Sequence, residues 1–509
     1  MIKKVLKQLE AYSISVLIIL IITPIFTESF GICIFSNQDF KNESRLFYLI
    51  SNLIGQILYP IFSSLGKGSI IIPCFEGMKI SNEIFQSISE HENAIGITSF
   101  CLILACAISS LGGILIYFTK TGVLLSRIPR NIVDTMMIAT GILTVLTGTS
   151  NFYDKNHLAH STFLSLLSFS ITGLSIFILK YTGKPKYIFV YLIAIIIICN
   201  SLKLFVSSAT LSDNKVFSIQ NIPKIDFQPI LKLKPEFHLS KVWENAFRII
   251  NLGICPLISL STSLPYYSNT VGIPVNFNKE LLAQGITNGF CSIGLFPTCF
   301  NTSGSILFML CGANSRYHSI FGGLSLIFLF FVYHQVAPLI PSFAISLIFQ
   351  FIGFTILLGF SKQIISATWL DKALLISIFT VFKISSFNSI VILIFGVILN
   401  YLFVYFHTSK DTKLIKKQID NSMIITVTGS LDFRNVHKII ENSYCNCTDV
   451  TFDLSSCDFI DYSANLELEE IMRKLKLNGQ KIKICGCPSN LSGKIISMTK
   501  EELNMSNSL

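Results

Sequence analysis

Residues 102–118, "LILACAISSLGGILIYF", contain no charged side chain. A run like this constrains the fold more than any other feature of the chain. An α-helix needs about 20 mostly apolar residues to cross a hydrocarbon core of ~30 Å. A helix is also one of only two structures that satisfy their own backbone groups in lipid. Five further apolar centres lie at Ile14–Ile22, Phe163–Leu179, Ile188–Cys199, Ile320–Val332 and Ile390–Phe406, each extended by its neighbours. Charged residues make up 13% of the chain, against about 25% in a soluble domain. The sequence therefore predicts a polytopic, all-α membrane domain. Its hydrophobic stretch runs from about residue 10 to 407, enough for roughly fourteen spans at ~28 residues each with loops.

The formal net charge of +10 does not point to nucleic acid, because much of the Lys and Arg excess flanks the apolar region. Lys3, Lys4 and Lys7 precede the first span, and Lys410, Lys413, Lys416 and Lys417 follow the last. The positive-inside rule then places both ends in the cytosol and requires an even number of spans. The first apolar run lacks a small-residue cleavage site and reads as a span, not a cleavable leader. The 14 Cys are scattered through spans and cytosolic sequence, a pattern of reduced thiols with no secreted-type framework.

From about residue 409 the pattern changes. "MIITVTGSLDF" alternates like a strand, "NVHKIIENSY" has helical spacing, and "DVTFDLSSCDFID" reads as a buried strand and loop. "ANLELEEIMRKLKLNG" reads as an amphipathic helix with a Gly stop, and "KIKICG" as a short strand. Strands alternating with helices predict a small α/β domain on the cytosolic side. The expected division is 1–408 for the membrane domain and 409–509 for the soluble one.

The longest polar break, Ser207–Lys241, falls near the middle and invites a search for two related halves. "YPIFSSLGKGSIIIPCFEGM" (Tyr59–Met78) and "LFPTCFNTSGSILFMLCGA" (295–313) share a helix end, a Pro, a Gly-Ser hinge and a short apolar run. Gly/Pro-interrupted segments at corresponding positions of two halves are the best sequence pointer to a transporter's central site. Non-helical backbone survives at membrane depth only where it lines a cavity or is buried in protein. Two half-helices starting at one point would aim N–H groups and positive partial charge at a common ligand. The competing explanation is small-residue packing between spans.

Several stretches resemble the sulfate permease (SulP) family of anion transporters. "FNKELLAQGITNGFCSIGLFPTCFNTSGSILFMLCGA" resembles its signature, "FSIQNIPKIDFQP" its mid-chain linker and "TPIFTESFGICIF" its first span. "RIPRNIVDTMMIATGILTVLTG" resembles its fifth-span entry, and "IITVTGSLDF…VTFDLSSCDFIDYSANLELEEI" the STAS domain that ends most members. The resemblance covers nearly the whole chain. It implies fourteen segments arranged as two inverted sevens, a core moving against a gate, and substrate held between broken segments 3 and 10, here about 67–85 and 301–316. It also implies a homodimer.

Two departures bear on the substrate. Where family anion transporters commonly carry Arg, after a Ser at the start of the tenth segment, this chain has Gly304 after Ser303. The family's usual acidic residue of the eighth span is absent from "FRIINLGICPLISLSTSL", while acids stand at Glu28 and Glu76. That pattern is closer to a divergent fungal branch associated with internal membranes and basic amino acids.

The candidate substrate-binding residues are Glu28, Phe30, Ser69, Phe75, Glu76, Ser303, Gly304 and Ser305. The hydroxyls of Ser69, Ser303 and Ser305 are the preferred solute contacts. An intramembrane carboxylate is a functional candidate by default, so Glu28 and Glu76 are read as site groups or proton carriers. The alternatives are an interface for Glu28 and a segment end beside Lys79 for Glu76. Phe30 and Phe75 wall the pocket or simply pack. Glu280 reads as a helix-entry or gate residue and Asn288 as an internal hydrogen-bonder. His334 sits at a span boundary, a proton relay being the alternative, and Asp134 follows Arg127 and Arg130 and is expected in an ion pair near the cytosolic face. Ser463 occupies the loop where STAS relatives carry a phosphorylated Ser, the simpler role being a helix N-cap. Cys445/Cys447 and Cys485/Cys487 are spaced too closely for usual zinc pairs, so no metal and no cofactor are expected. The STAS-like part is short, with its last elements expected to be trimmed.

The sequence contains no P-loop, HExxH or GxSxG motif, and no enzyme is expected. The expected function is secondary-active transport, by default of sulfate or another small anion, with the proton as candidate coupling ion. Alternatives are an uncoupled conductor, a carrier of basic amino acids at an internal membrane, and a non-transporting sensor or scaffold that binds a cytosolic protein through its STAS domain.

Overall fold

The computed structural model describes residues 2–30, 41–122, 128–150, 158–182, 193–198, 200–201, 234–271, 275–340, 342–366, 369–384, 389–407, 413–419, 421–436, 439, 447–477 and 479–486. Most of the mid-chain linker and of "NVHKIIENSY" lies outside this set, as do Cys445 and Cys487. The chain divides into two compact units.

The first unit opens with α1 (Ile2–Phe30) and α2 (Lys41–Phe62). A three-residue strand β1 (Ile71–Pro73) leads into α3 (Phe75–Ile88), and α4 (Ala94–Thr119) follows. Next come α5 (Arg130–Ser150), whose first turns belong to the second unit, and α6 (Leu158–Thr182). The short α7 (Leu239–Glu244) precedes α8 (Ala246–Val271) and α9 (Phe277–Cys291). A second short strand β2 (Thr298–Phe300) then leads into α10 (Thr302–Leu310). α11 (Arg316–Val336) and α12 (Ser342–Ser366) follow, the residues of α12 after Ser361 belonging to the second unit. Thus the order helix, strand, half-helix occurs twice, once in each half.

Among the described residues seven helices are long and apolar enough to cross a membrane, within α1, α2, α4, α5, α8, α11 and α12; α6 and α14 contain shorter apolar stretches. Four of the seven, in α2, α5, α8 and α12, are not among the sequence's apolar centres. They are half or more buried within the protein, and α2, α5 and α8 interrupt their apolar runs with residues such as Gln56, Thr140 and Pro256. The core packs Ile18, Ile25 and Phe47 with Ile84, Cys101, Leu252, Phe296 and Phe308. Glycine sets the closest helix approach. A Cβ on Gly113 of α4 would lie 2.5 Å from Leu281 O and 2.8 Å from Gly285 Cα, so α4 and α9 meet backbone to backbone.

The second unit contains the first residues of α5, α13 (Trp369–Ile384), almost all of α14 (Ser389–His407) and the C-terminal domain. That domain is a four-stranded sheet of β3 (Lys413–Ile419), β4 (Ser422–Leu431), β5 (Asp449–Ile460) and β6 (Lys481–Cys485), in that spatial order. β3 runs antiparallel to β4, whereas β4–β5 and β5–β6 are parallel. Helix α15 (Tyr462–Leu477) packs Ala464, Leu468 and Leu475 on Val427, Val450 and Phe452. β3 corrects the sequence reading, which took Lys413, Lys416 and Lys417 only as a charged flank of the last span. They form an exposed edge strand, a place where lysines are tolerated and deter further pairing.

Candidate functional site

The two interrupted segments meet. β1 and β2 pair antiparallel, with Ile71 opposite Phe300, Ile72 opposite Cys299 and Pro73 opposite Thr298. Two backbone bonds extend the ladder, Asn301 N to Ile70 O and Cys74 N to Pro297 O, each 2.9 Å. Because the strands are antiparallel, α3 and α10 start at opposite ends of this short ladder and run away from it. Their N-termini therefore flank one region of about three strand residues, or ~10 Å.

Extended backbone inside a membrane domain must find its partners among side chains. Each half-helix is served by the helix that precedes it. On α2, Gln56 donates from Nε2 to Ser69 O at 2.8 Å and accepts from Ile71 N at 2.9 Å. On α9, Gln284 donates to Thr298 O at 2.6 Å, and Asn288 accepts from Thr298 N at 2.9 Å. Asn288 also donates to Ser109 Oγ at 2.8 Å. The sequence suggests an internal role for Asn288 and does not single out Gln56 or Gln284. A buried Gln two-thirds along a span, ahead of a Gly-Ser hinge, is the signal that could have identified Gln56.

The Ser305 hydroxyl and the Ser69 backbone serve this scaffold as well. Ser305 Oγ accepts from Ile70 N at 2.9 Å and is fully buried. Ser69 N donates to Ser319 Oγ at 2.7 Å, and Ser319 Oγ donates back to Ser69 O at 2.9 Å. Gly68 packs against the end of the other broken segment: its N–H donates to Ala313 O at 2.9 Å, and a Cβ there would lie 2.6 Å from that of Ala313.

Beside the ladder lies a cavity of about 100 Å³, well above the ~10–15 Å³ that admits one water. Its walls include Cys299, Asn301 and Thr302 from the broken segment, Thr140 and Thr144 from α5, and Ser259 and Ser263 from α8. Phe26, Phe300 and Phe349 supply apolar surface. None of the lining residues carries a charge. Asn301 is the N-cap of α10 and accepts from Gly304 N at 2.8 Å. Thr302, the first residue of α10, buries a hydroxyl that has no hydrogen-bond partner. The N-cap residue of α3, Cys74, makes no side-chain cap hydrogen bond.

The other sequence candidates are distributed as follows. Ser69, Ser305 and Gly304 build or border the junction but are not on the cavity wall. The side chains of Phe30, Phe75, Glu76 and Ser303 lie outside the described residues. Glu28 is held away from the cavity wall by Arg45 of α2, at 3.0 Å, and by the Tyr333 hydroxyl of α11. Glu280, in the first turn of α9, is fully buried and accepts from Tyr59 Oη and Ser63 Oγ at 2.7 Å and from Ser64 N and Oγ at 2.6 Å. It thereby binds the start of α9 to the end of α2. His334 lies in the last turn of α11.

In the C-terminal domain, Ser463 sits in the first turn of α15 and accepts from Arg130 N at 2.8 Å. Asp134 pairs with Arg130 at 3.5 Å and accepts from Tyr462 Oη at 2.8 Å. Burial, and then the neighbouring Asp134 carboxylate, raise the Tyr462 hydroxyl far above its ordinary pKa, so it stays a neutral donor. Asp461 caps α15 by accepting from Ala464 N at 2.6 Å and also takes Phe433 N at 2.9 Å. Burial pushes its carboxyl up to about 7 despite those donors, with Asp432 and Asp371 adding to the rise.

Residues 44–380 match the sulfate permease family, and residues 413–503 match the STAS domain. The chain therefore belongs to the sulfate permease family, a family of multi-pass transmembrane anion transporters and not of enzymes, and carries the STAS domain at its C-terminal end. Among solved structures it is similar to that described as the overall structure of SLC26A9, with 14% identity over 98% of this chain and 88% of that one and a TM-score of 0.52. It is also similar to the transmembrane domain of BicA, a bicarbonate transporter of a cyanobacterium, with 18% identity over 76% of this chain and 97% of that one and a TM-score of 0.54. At these identities the likeness concerns the fold alone. No curated protein sequence matches the chain.

Proposed function

We propose that this chain is a secondary-active carrier that binds a small anion where α3 and α10 begin. The observation that carries this is the cavity walled by Asn301 and Thr302, with the Thr302 hydroxyl unpartnered at the N-terminus of a half-helix. A buried hydroxyl without a partner costs free energy, and a solute oxygen or halide would satisfy it. The sulfate permease family match, and the likeness to the bicarbonate transporter BicA, agree with an anionic solute.

Charge balance refines the substrate class. No cation lines the cavity, and Gly304 stands where family members commonly have Arg. The positive potential then comes mainly from helix ends, each worth roughly half an elementary charge. The α10 end at the cavity offsets part of the charge of a monovalent anion, whereas sulfate would keep a larger uncompensated charge in low dielectric. We therefore favour a monovalent anion such as bicarbonate or chloride over sulfate, with a proton as the candidate coupling ion. The protein is further proposed to be a homodimer with both termini cytosolic.

The test is uptake of bicarbonate, chloride, sulfate, arginine and lysine into proteoliposomes, with and without an imposed pH gradient. Saturable anion flux supports the proposal. Flux of only the cationic amino acids would replace the anion with the basic-amino-acid alternative, and binding without flux would favour a sensor. Enhancement by a pH gradient would assign proton coupling; if it survives in Glu28→Gln, Glu28 acts only through its ion pair.

A further inference from the structure

Three thiols converge where α3 begins. Cys74 is the N-cap residue of α3, and its Sγ lies 3.5 Å from Sγ of Cys255 on α8. The thiol of Cys299 on β2 is within hydrogen-bonding reach of the same sulfur. All three side chains are buried, but Cys299 also lines the cavity. Cys74 thus contacts both other sulfurs, and Cys299 is the one of the three that lines the cavity and meets a small solute there.

We propose that Cys74, Cys255 and Cys299 form a redox-sensitive cluster in which two-electron oxidation yields one disulfide that includes Cys74 and arrests the transport site. The arrest rests on the carrier proposal above; the disulfide does not. A disulfide needs its sulfurs at about 2.05 Å, and those of Cys74 and Cys255 already lie 3.5 Å apart. The oxidant is a peroxide small enough to enter the cavity. Cys299 sulfur attacks a peroxide oxygen, the O–O bond breaks, water leaves, and a sulfenic acid forms. Cys74 sulfur then attacks that sulfenyl sulfur, the S–O bond breaks, and a second water leaves with the thiol proton. Two thiols and one hydrogen peroxide become one disulfide and two waters. Exchange with Cys255 moves the bond to the Cys74–Cys255 pair without further oxidation. Either bond ties the head of α3 to a neighbouring element, β2 or α8.

The purified chain is treated with hydrogen peroxide, free thiols are blocked, and disulfide-linked peptides are mapped by mass before and after dithiothreitol. Anion flux is measured on the same preparations in proteoliposomes. Expected is a reducible disulfide containing Cys74, loss of most of the flux and its return on reduction. Cys74→Ser should abolish the disulfide and the sensitivity, whereas Cys101→Ser, another buried thiol, should leave both intact. Absence of a disulfide, or one formed without Cys74, overturns the cluster; since this is read on the unaltered chain, a misfolded variant does not obscure it. A Cys74 disulfide with undiminished flux overturns its control of transport. If the reduced protein moves no anion, the carrier proposal and with it the arrest fail, while the map still decides the thiol chemistry.

Discussion

Ser463 Oγ accepts a 2.8 Å hydrogen bond from the backbone N–H of Arg130, so a residue of the STAS domain caps a membrane helix that begins 333 positions earlier. The first N–H groups of a helix lack intrahelical partners. Pro129, which precedes α5, has no side-chain acceptor to supply one. Ser463 fills the vacancy, and the Tyr462–Asp134–Arg130 contacts flank it. The same helix carries Thr140 and Thr144 into the cavity wall.

Removing the cap should loosen the start of α5. Loss of a Ser cap costs about 1 kcal/mol, a factor of about five in a local opening equilibrium. Ser463→Ala should therefore speed hydrogen exchange of the first α5 amides by about that factor, while Ser463→Thr retains the hydroxyl and most of the protection. Unchanged exchange in the Ala variant would show that the contact contributes nothing to holding the helix. The hydroxyl is buried against Arg130, so a kinase reaches Ser463 only once the contact opens.

Asp461 should make the STAS domain less stable as pH rises toward neutrality. Its carboxyl is raised by burial from 3.8 to about 7. Between those values the folded state holds a proton that the unfolded state has released, so unfolding loses a proton and stability falls with pH. The slope is roughly 1.4 kcal/mol per pH unit within the window and vanishes below about 3.8 and above about 7. Hydrogen exchange of β4 and β5 in the full chain, corrected for intrinsic rates, should show protection falling from pH 5 to 7. Asp461→Asn should flatten that dependence. A flat profile in the unaltered chain would mean the carboxyl titrates normally.

Glu280 should be a stability residue. Glu280→Ala removes the acceptor of Tyr59, Ser63 and Ser64. A buried donor left without its acceptor costs about 1–3 kcal/mol and the losses overlap, so roughly 2–4 kcal/mol is expected. Glu280→Gln keeps one oxygen and should lose less. Heat-induced aggregation of detergent-solubilised protein measures both. An Ala variant as heat-resistant as the parent would show that the α2–α9 link is dispensable.

What was legible follows from where each residue faces. Residues 102–118 and 320–332 were readable as spans because α4 and α11 present much of their surface to lipid. α2 and α8 were not, because they bury most of theirs and carry Asn52 and Gln56, or Pro256 and Pro265. The broken segments could be found because only Gly, Pro and small polar residues tolerate such backbone. Which hydroxyl faced the solute could not: Ser305 and Thr302 are three apart on one short helix, yet one bonds Ile70 and the other faces the cavity. The Arg130–Ser463 contact joins residues 333 apart, and no local pattern encodes it.

Thr302 separates a transport role from a structural one more cleanly than any other residue. Thr302→Val preserves shape and removes only a buried hydroxyl that bonds nothing in the protein. An unsatisfied buried hydroxyl costs about 1–3 kcal/mol, so the variant should be at least as heat-resistant as the parent. A hydrogen bond to an ionised partner contributes about 1.5–3 kcal/mol, so anion affinity should fall by roughly ten- to hundredfold. Thr302→Ser keeps the hydroxyl and should stay within a fewfold of the parent. Concentration-dependent anion uptake, measured beside thermal aggregation, reads both effects. If Thr302→Val transports with undiminished affinity, the anion does not bind at the head of α10. If it loses heat resistance in step with flux, the hydroxyl supports the fold instead of the solute.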